Sequence, residues 1–122
     1  MAKNDFDKLI AKINTFRDTR NWRQFHKPKD CALSLALEAA EVLEHFQWRN
    51  GAELEKYLKT NKSDIADELS DVLWWVLVLS HDLDIDLQKA FIKKLGKNTK
   101  RYPVKKVKGK HKWQIKARQR VK

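Results

Sequence analysis

Two strongly apolar segments of the sequence, residues 31–48 and 64–82, each carry two acidic residues three positions apart. The acids are Glu38 and Glu41 in the first segment and Glu68 and Asp71 in the second. Side chains three or four residues apart lie on one face of an α-helix, and the surrounding apolar residues recur at the same spacing. The pattern predicts two helices that are apolar around most of their circumference. Each helix places a pair of carboxylates where burial is expected.

Buried carboxylates need compensation, because an unpaired ion costs several kcal/mol even after the protein relaxes. Salt bridges to Lys or Arg, or exposure at the rim of the fold, are one solution. A divalent cation is the other, and Mg²⁺ prefers oxygen ligands. Carboxylates without thiolates or many histidines favour Mg²⁺ or Mn²⁺ over zinc. A di-iron bundle would need a histidine three residues after a glutamate on two helices. His45 follows Glu41 by four residues, so the sequence does not favour a di-iron site.

The rest of the chain also favours an all-α fold, since three glycines and two prolines are few for a many-stranded protein. Periodicity predicts further helices at 4–20 and 86–99, and a short helix or loop at 52–60. We expect the helix at 31–48 to start after an Asp30 N-cap and to end at Asn50-Gly51. Ser63 is the expected N-cap of the helix at 64–82.

A length of 122 residues suits one compact domain. The single cysteine, Cys31, excludes an intramolecular disulfide and a cysteine-rich metal site. No apolar stretch approaches the ~20 residues of a membrane span, and the N-terminal residues lack the apolar core of a signal peptide. A soluble cytoplasmic protein without a membrane partner is therefore expected.

The formal charge of +11 is concentrated at the C-terminal end, where residues 102–122 hold nine Lys or Arg and no acid. Residues 1–101 are nearly neutral. A basic tail attracts polyanions, so a helical nucleic-acid-binding module that uses the tail is an alternative function. A helical bundle that only dimerises is a third reading. Either alternative leaves the paired acids without an explanation.

Four sequence segments together resemble a known family: NWRQFHKPKD, LALEAAEVLEHFQW, DELSDVLWWVLVLS and KNTKRYPV. They are similar, in order and spacing, to the MazG-type all-alpha nucleotide pyrophosphohydrolases, and especially to the dCTP pyrophosphatase-like branch. The resemblance runs from about Phe6 to Lys108. It implies a MazG-like domain at residues 1–104, followed by a basic C-terminal tail at 105–122, of which residues 109–122 have no recognised counterpart in the family.

The family resemblance implies a four-helix bundle assembled between subunits, in a homodimer or homotetramer. The implied reaction is Mg²⁺-dependent hydrolysis of a (deoxy)nucleoside triphosphate, such as dCTP or a related dNTP, to the monophosphate and pyrophosphate. Mn²⁺ is the alternative cofactor.

The resemblance also assigns roles to particular residues. Its catalytic, metal-binding acids match Glu38, Glu41, Glu68 and Asp71. Its base-pocket aromatics match Trp22, Trp48 and Trp75, the last of which is tyrosine in some relatives. Its phosphate- or sugar-contacting segment matches Lys94, Asn98 and Arg101. Core packing is the competing explanation for the tryptophans, as ordinary surface charge is for the basic residues.

Overall fold

The computed structural model describes residues 3–110, and within that range it contains helices and no strand. The all-α prediction is confirmed. The helices are α1 (Asp5–Thr19), α2 (Pro28–Glu44), α3 (Gly51–Thr60), α4 (Lys62–Asp82), α5 (Leu87–Arg101) and α6 (Val104–Val107), and a 3-10 turn spans Arg23–Phe25.

The described residues form two compact units, one ending at Leu87 and the other beginning at Gln88. In the first unit α4 packs chiefly against α2 and also contacts α1 and α3. The buried apolar core of this unit consists of Ile13, Cys31, Leu77 and Val78. The second unit contains α5 from Gln88 onward and α6. No helix of residues 3–110 is long and apolar enough to cross a membrane.

The start of α1 follows the expected capping chemistry. The Asn4 side chain accepts a hydrogen bond from the backbone N–H of Asp7 at 2.8 Å, and the Asp7 carboxylate accepts one from the backbone N–H of Asn4 at 3.2 Å. This reciprocal capping box satisfies two N–H groups that a helix N-terminus would otherwise leave unpaired. The first helix therefore begins at Asp5, within one residue of the predicted start.

The predicted starts of the second helix and of the helix at 64–82 are wrong by a few residues, as is the predicted end of the second helix. Lys27 is extended and Pro28 occupies the first turn of α2, so Asp30 lies inside the helix and does not cap it. Proline is well suited to this position because its fixed φ matches the helix and no intrahelical N–H bond is lost. Asn61, not Ser63, is the residue before α4.

The Asn50-Gly51 pair was expected to end the second helix and instead opens α3. The second helix ends at Glu44, and Gly51 is the first residue of α3, with a φ of +54°. Glycine reaches this left-handed conformation without the steric cost of a Cβ atom. The segment 52–60, for which helix and loop were both open, is helical.

The expectation that the second helix is buried on most sides is wrong for the single chain. Among its residues only Cys31 is buried, while Leu33, Leu37 and Leu43 are more than half exposed. On α4, Leu69 is similarly exposed and Leu73 somewhat less so. An apolar composition predicts that a face avoids water, but it does not specify which chain covers that face.

Candidate metal centre

The packing of α2 against α4 brings together three of the four acids predicted to bind metal. One carboxylate oxygen each from Glu38, Glu41 and Glu68 can be chosen so that all three lie within 4.8 Å of one another. Glu38 and Glu68 are half-buried, whereas Glu41 is exposed. Asp71 is exposed and lies outside this triplet, one turn beyond Glu68 on α4. Its charge nevertheless acts on both Glu38 and Glu68.

Crowding of the carboxylates disfavours the ionised forms of Glu38 and Glu68. Burial raises the pKa of Glu38, and a hydrogen bond to Glu41 and the charges of Glu41 and Asp71 raise it further. For Glu68 the hydrogen bond to Glu41 is the largest cause, followed by burial and the neighbouring charges, and together they raise the pKa to about 7. A carboxyl group can donate a hydrogen bond only when it carries a proton. Without a cation, the cluster therefore retains protons that isolated glutamates would have lost.

Two oxygen atoms in this cluster have unsatisfied hydrogen-bonding capacity. Oε2 of Glu38 and Oε2 of Glu68 are buried, and neither has a hydrogen-bond partner among residues 3–110. Buried polar atoms are normally paired, so an unpaired one calls for a specific explanation. A hard divalent cation fits, because it takes carboxylate oxygens as ligands and supplies the missing positive charge. The donor set contains no thiolate or imidazole, which disfavours zinc.

The three tryptophans of the predicted base pocket lie in different environments. Trp75 follows Asp71 by one helical turn, is half-buried, and meets the His26 ring edge-on with 5.3 Å between centroids. Trp22 is 43% exposed and contacts Phe16 edge-on at 5.6 Å. Trp48, beyond the end of α2, is 81% exposed. No ring contact in the described part of the chain joins these three to one another. Trp74 contacts Phe16 and packs against the core.

Comparison with known proteins identifies the family. The model of the MazG-like family matches residues 33–115, more than half of the chain. The chain belongs to the MazG-like family. It is 37% identical over 91 residues to dCTP pyrophosphatase 1 of Rattus norvegicus, an alignment that covers 73% of this chain and 54% of that protein. The corresponding human protein is 34% identical over 90 residues, with 72% and 53% covered.

A solved structure agrees with the sequence comparisons. A pyrophosphatase from Archaeoglobus fulgidus has a TM-score of 0.77 to this MazG-like chain and 34% sequence identity, covering 84% of this chain and 96% of that one. The resemblance to the dCTP pyrophosphatase-like branch is confirmed by these relatives. The chain spans about half the length of the curated relatives it matches.

The predicted phosphate-contacting residues of this MazG-like chain lie on α5, in the second unit. Lys94, Asn98 and Arg101 are spaced four and three residues apart, so they share one face of that helix. Asn98 is half-buried, while Lys94 and Arg101 are exposed. The Arg101 guanidinium lies over the Tyr102 ring, 5.4 Å from its centroid.

A buried ion pair escaped the sequence reasoning. Arg17, on α1, is fully buried and donates two hydrogen bonds to Asp82 at the end of α4, at 3.0 and 2.9 Å. It also donates to Oδ1 of Asn14 at 2.8 Å. The available signal was an arginine at the position that continues the apolar stripe of Ile10 and Ile13. Its partner is 65 residues away in the chain, and no local spacing reveals such a pair.

Proposed function

We propose that this MazG-like protein hydrolyses nucleoside triphosphates between the α- and β-phosphates, releasing a nucleoside monophosphate and pyrophosphate. The observation that carries the proposal is the carboxylate triplet of Glu38, Glu41 and Glu68, with its two buried, unpartnered oxygen atoms. Such a cluster is suited to a divalent cation and, through it, to a polyphosphate. A metal-free binding site for phosphate would not be lined with carboxylates, because like charges repel.

The proposed cofactor is Mg²⁺, with Mn²⁺ as an alternative, held by Glu38, Glu41 and Glu68. Asp71, one turn beyond Glu68, completes the ligand set in this proposal. When bound, the metal supplies neutralisation of phosphate charge and a water of lowered pKa. One of the four acids, or a neighbouring group, accepts the proton of the attacking water.

The proposed substrate class is a deoxynucleoside triphosphate, with dCTP as the first candidate. Support comes from the names of the relatives, which are dCTP pyrophosphatases. Trp22, Trp48 and Trp75 are proposed to contact the base, and an exposed indole such as Trp48 is well suited to stacking. Lys94, Asn98 and Arg101 are proposed to contact phosphate or sugar, since lysine and arginine pair well with phosphate oxygens.

The proposed assembly is a homodimer or a homotetramer, in which helices of different subunits complete a four-helix bundle. Support comes from the apolar faces of α2 and α4, where Leu33, Leu37, Leu43 and Leu69 are more than half exposed. Exposed apolar side chains of this number on two neighbouring helices favour association of copies. Light scattering should give a mass of two or four times 14.5 kDa at micromolar concentration. A single 14.5 kDa species would contradict the assembly.

The remaining proposals concern chain organisation and location. We assign residues 1–104 to the MazG-like domain and 105–122 to a basic tail; the tail beyond Lys110 lies outside the described residues. A cytoplasmic location is proposed from the sequence alone. Nucleic-acid binding, if it occurs, would involve the tail.

The deciding experiment is a turnover assay of the full chain with Mg²⁺ and each common dNTP and NTP, measuring monophosphate, phosphate and pyrophosphate separately. Monophosphate with pyrophosphate, lost on EDTA addition and in Glu41→Gln, supports the proposal. The matched control is Glu44→Gln, which changes an exposed glutamate at the end of the same helix and should retain activity. No turnover by a folded, metal-bound protein would overturn it. Salt-sensitive nucleic-acid binding would then favour the tail as the functional element.

A further inference from the structure

Arg17, on α1, makes hydrogen bonds to both ends of the loop segment that carries Trp22 and His26. Between these ends, Arg23 pairs with Asp18 of the same helix. The backbone carbonyl of Arg17 accepts a hydrogen bond from the backbone N–H of Trp22 at 2.9 Å. The guanidinium of the same residue contacts Nδ1 of His26 at 3.4 Å. Arg17 therefore holds both ends of the segment 22–26, one through its main chain and one through its side chain.

The guanidinium is itself held in a fixed orientation. Asp82 accepts two of its N–H groups and Asn14 accepts a third, so the planar group has little freedom to rotate. Asn14 in turn contacts Nε2 of His81 at 3.2 Å, which links this network to the last turn of α4. A bidentate arginine–carboxylate pair adds geometric specificity as well as energy. The direction from which Arg17 meets His26 is thus determined by α1 and α4 together.

This arrangement determines which nitrogen of His26 carries the proton. A guanidinium only donates hydrogen bonds, so Nδ1 of His26 must present its lone pair to Arg17 and the proton must be on Nε2. Burial lowers the pKa of His26, the Arg17 charge lowers it further, and Asp82 opposes them in part, which keeps the ring neutral. The His26 ring also meets the Trp75 ring edge-on, with 5.3 Å between the two centroids.

We propose that Arg17, held by Asp82, is a positioning residue for nucleotide binding: it fixes the tautomer and ring orientation of His26, and through them the placement of Trp75, while its backbone carbonyl holds Trp22. The inference rests on the proposed function, because it assigns these two tryptophans to the base pocket. Arg17 itself does not touch the substrate in this scheme. It acts on affinity for the nucleotide through the loop.

The test separates positioning from stability by replacing the ion pair with apolar residues, in the double variant Arg17→Met/Asp82→Leu. Replacing a buried ion pair in this way is often neutral or stabilising. We expect the variant to stay folded, with KM for the nucleotide raised about tenfold, the equivalent of one lost hydrogen bond, and kcat changed by less than about twofold. The matched control is Asp5→Asn/Lys8→Met, which removes an exposed ion pair of α1 and should leave KM unchanged.

Two results with a folded double variant would overturn the positioning role. A folded double variant with wild-type KM would show that the pair only supports the fold, and a loss confined to kcat would place its role in the chemical step. If the double variant does not fold, Arg17→Lys decides the question. An ammonium can pair with Asp82 but cannot reproduce the planar fork that also serves Asn14 and His26. Arg17→Lys should raise KM, and an unchanged KM would overturn the proposal.

A second measurement is independent of turnover. The ¹⁵N chemical shifts of the His26 imidazole in the wild-type protein should show a proton on Nε2 and a lone pair on Nδ1, and a mixture of tautomers in the double variant. A wild-type ring protonated on Nδ1 would overturn the inference even in an active enzyme. An inactive wild-type protein with the expected tautomer would instead place the failure on the proposed function.

Discussion

Helix α4 carries two buried polar regions that solve the problem of buried charge in opposite ways. Near its C-terminal end, Asp82 is matched by Arg17, whose terminal nitrogens also meet Asn14 and His26, although its Nε has no hydrogen-bond partner among residues 3–110. In its N-terminal half, Glu68 lies among further carboxylates, those of Glu38 and Glu41. The charge of the first region is neutralised within the chain, whereas the second region accumulates negative charge. The difference teaches that burial alone does not mark a ligand site, while burial without compensation does.

The largest expected effect comes from neutralising one acid of the uncompensated region. Glu41→Gln should lower kcat/KM roughly 100-fold or more, because metal-site changes of this kind cost at least that much. In the metal-free protein the same change should raise the thermal unfolding midpoint. It removes a negative charge beside Glu38 and Glu68 and provides an amide that donates to them. Steady-state kinetics and calorimetry in EDTA measure the two effects.

A loss of both activity and metal-free stability in Glu41→Gln would contradict the claim that the carboxylate cluster is uncompensated without metal. The cluster would then be a structural network in its own right. Glu44→Gln should change neither quantity, because Glu44 lies outside the cluster of Glu38, Glu41 and Glu68.

In the compensated region, removal of one partner should instead destabilise the metal-free fold. Arg17→Ala leaves Asp82 without its donors, and breaking a buried pair costs about 3–5 kcal/mol. Because Asp82 is partly exposed, water replaces some of the loss, and we expect the lower end, about 3 kcal/mol. Urea unfolding of the metal-free protein measures this free energy.

An exposed pair of the same chemistry is the control for Arg17→Ala. Arg23 donates two hydrogen bonds to Asp18, at 2.6 and 3.0 Å, but both side chains are largely solvent-exposed. Arg23→Ala should cost less than about 1 kcal/mol. Equal losses in the two variants would mean that burial of the Arg17 pair contributes nothing.

The two regions should also respond to pH with opposite signs. The raised pKa of Glu68 means that the folded protein holds a proton that the unfolded chain releases above the ordinary value of 4.5. Metal-free stability should therefore fall as the pH rises from about 4.5 to about 7 and change little from this source at higher pH. The Asp82 pKa is lowered below 3.8, chiefly by its hydrogen bonds with Arg17. Its stabilising contribution is present above that value and is lost as the pH falls through the lowered pKa.

Mg²⁺ should sharpen this pH contrast. A cation competes with the proton on Glu68, so added Mg²⁺ should raise the unfolding midpoint more at pH 8 than at pH 6. Melting curves at both pH values, with Mg²⁺ or EDTA, check the sign. A larger Mg²⁺ effect at pH 6 would be inconsistent with carboxylate ligands of raised pKa.

The smallest expected effect on stability is at Trp48. Its indole is 81% exposed, so Trp48→Ala should change the unfolding free energy by less than about 0.5 kcal/mol. Loss of base stacking should raise the nucleotide KM roughly fivefold or more. Trp74→Ala, which removes a ring packed against the core, should instead destabilise the fold clearly. An unchanged KM in Trp48→Ala would remove Trp48 from the base pocket.

Sequence reasoning succeeded where the controlling pattern is local. Apolar periodicity located each of the longer helices, because the 3.6-residue repeat is a property of the segment itself. The Glu38–Glu41 and Glu68–Asp71 pairs were recognisable for the same reason, and packing of α2 on α4 brings three of these four acids together. The starts of α2 and α4 were missed because neither helix uses the side-chain cap that Asp30 or Ser63 was expected to supply. Pro28 opens α2, and neither Lys27 nor Asn61, the residues before the two helices, makes a side-chain capping hydrogen bond.

What could not be predicted depends on distant parts of the chain. Arg17 and Asp82 are 65 residues apart, and nothing near either residue announces the other. The exposure of Leu33 and Leu37 also could not be predicted, because the sequence shows that a helix face is apolar but not which surface covers it. Asp71 lies outside the close triplet because helix packing, rather than spacing, decides the distance between side chains on two helices.

The single cysteine is a natural probe of how often the core of this protein opens. Cys31 is 1% exposed, and burial raises the pKa of its thiol, so the reactive thiolate is scarce while the core is closed. A thiol-specific reagent can therefore reach it only in molecules whose α2 has separated from its neighbours. The rate of labelling at increasing reagent concentration reports how often that separation happens, without any engineered probe.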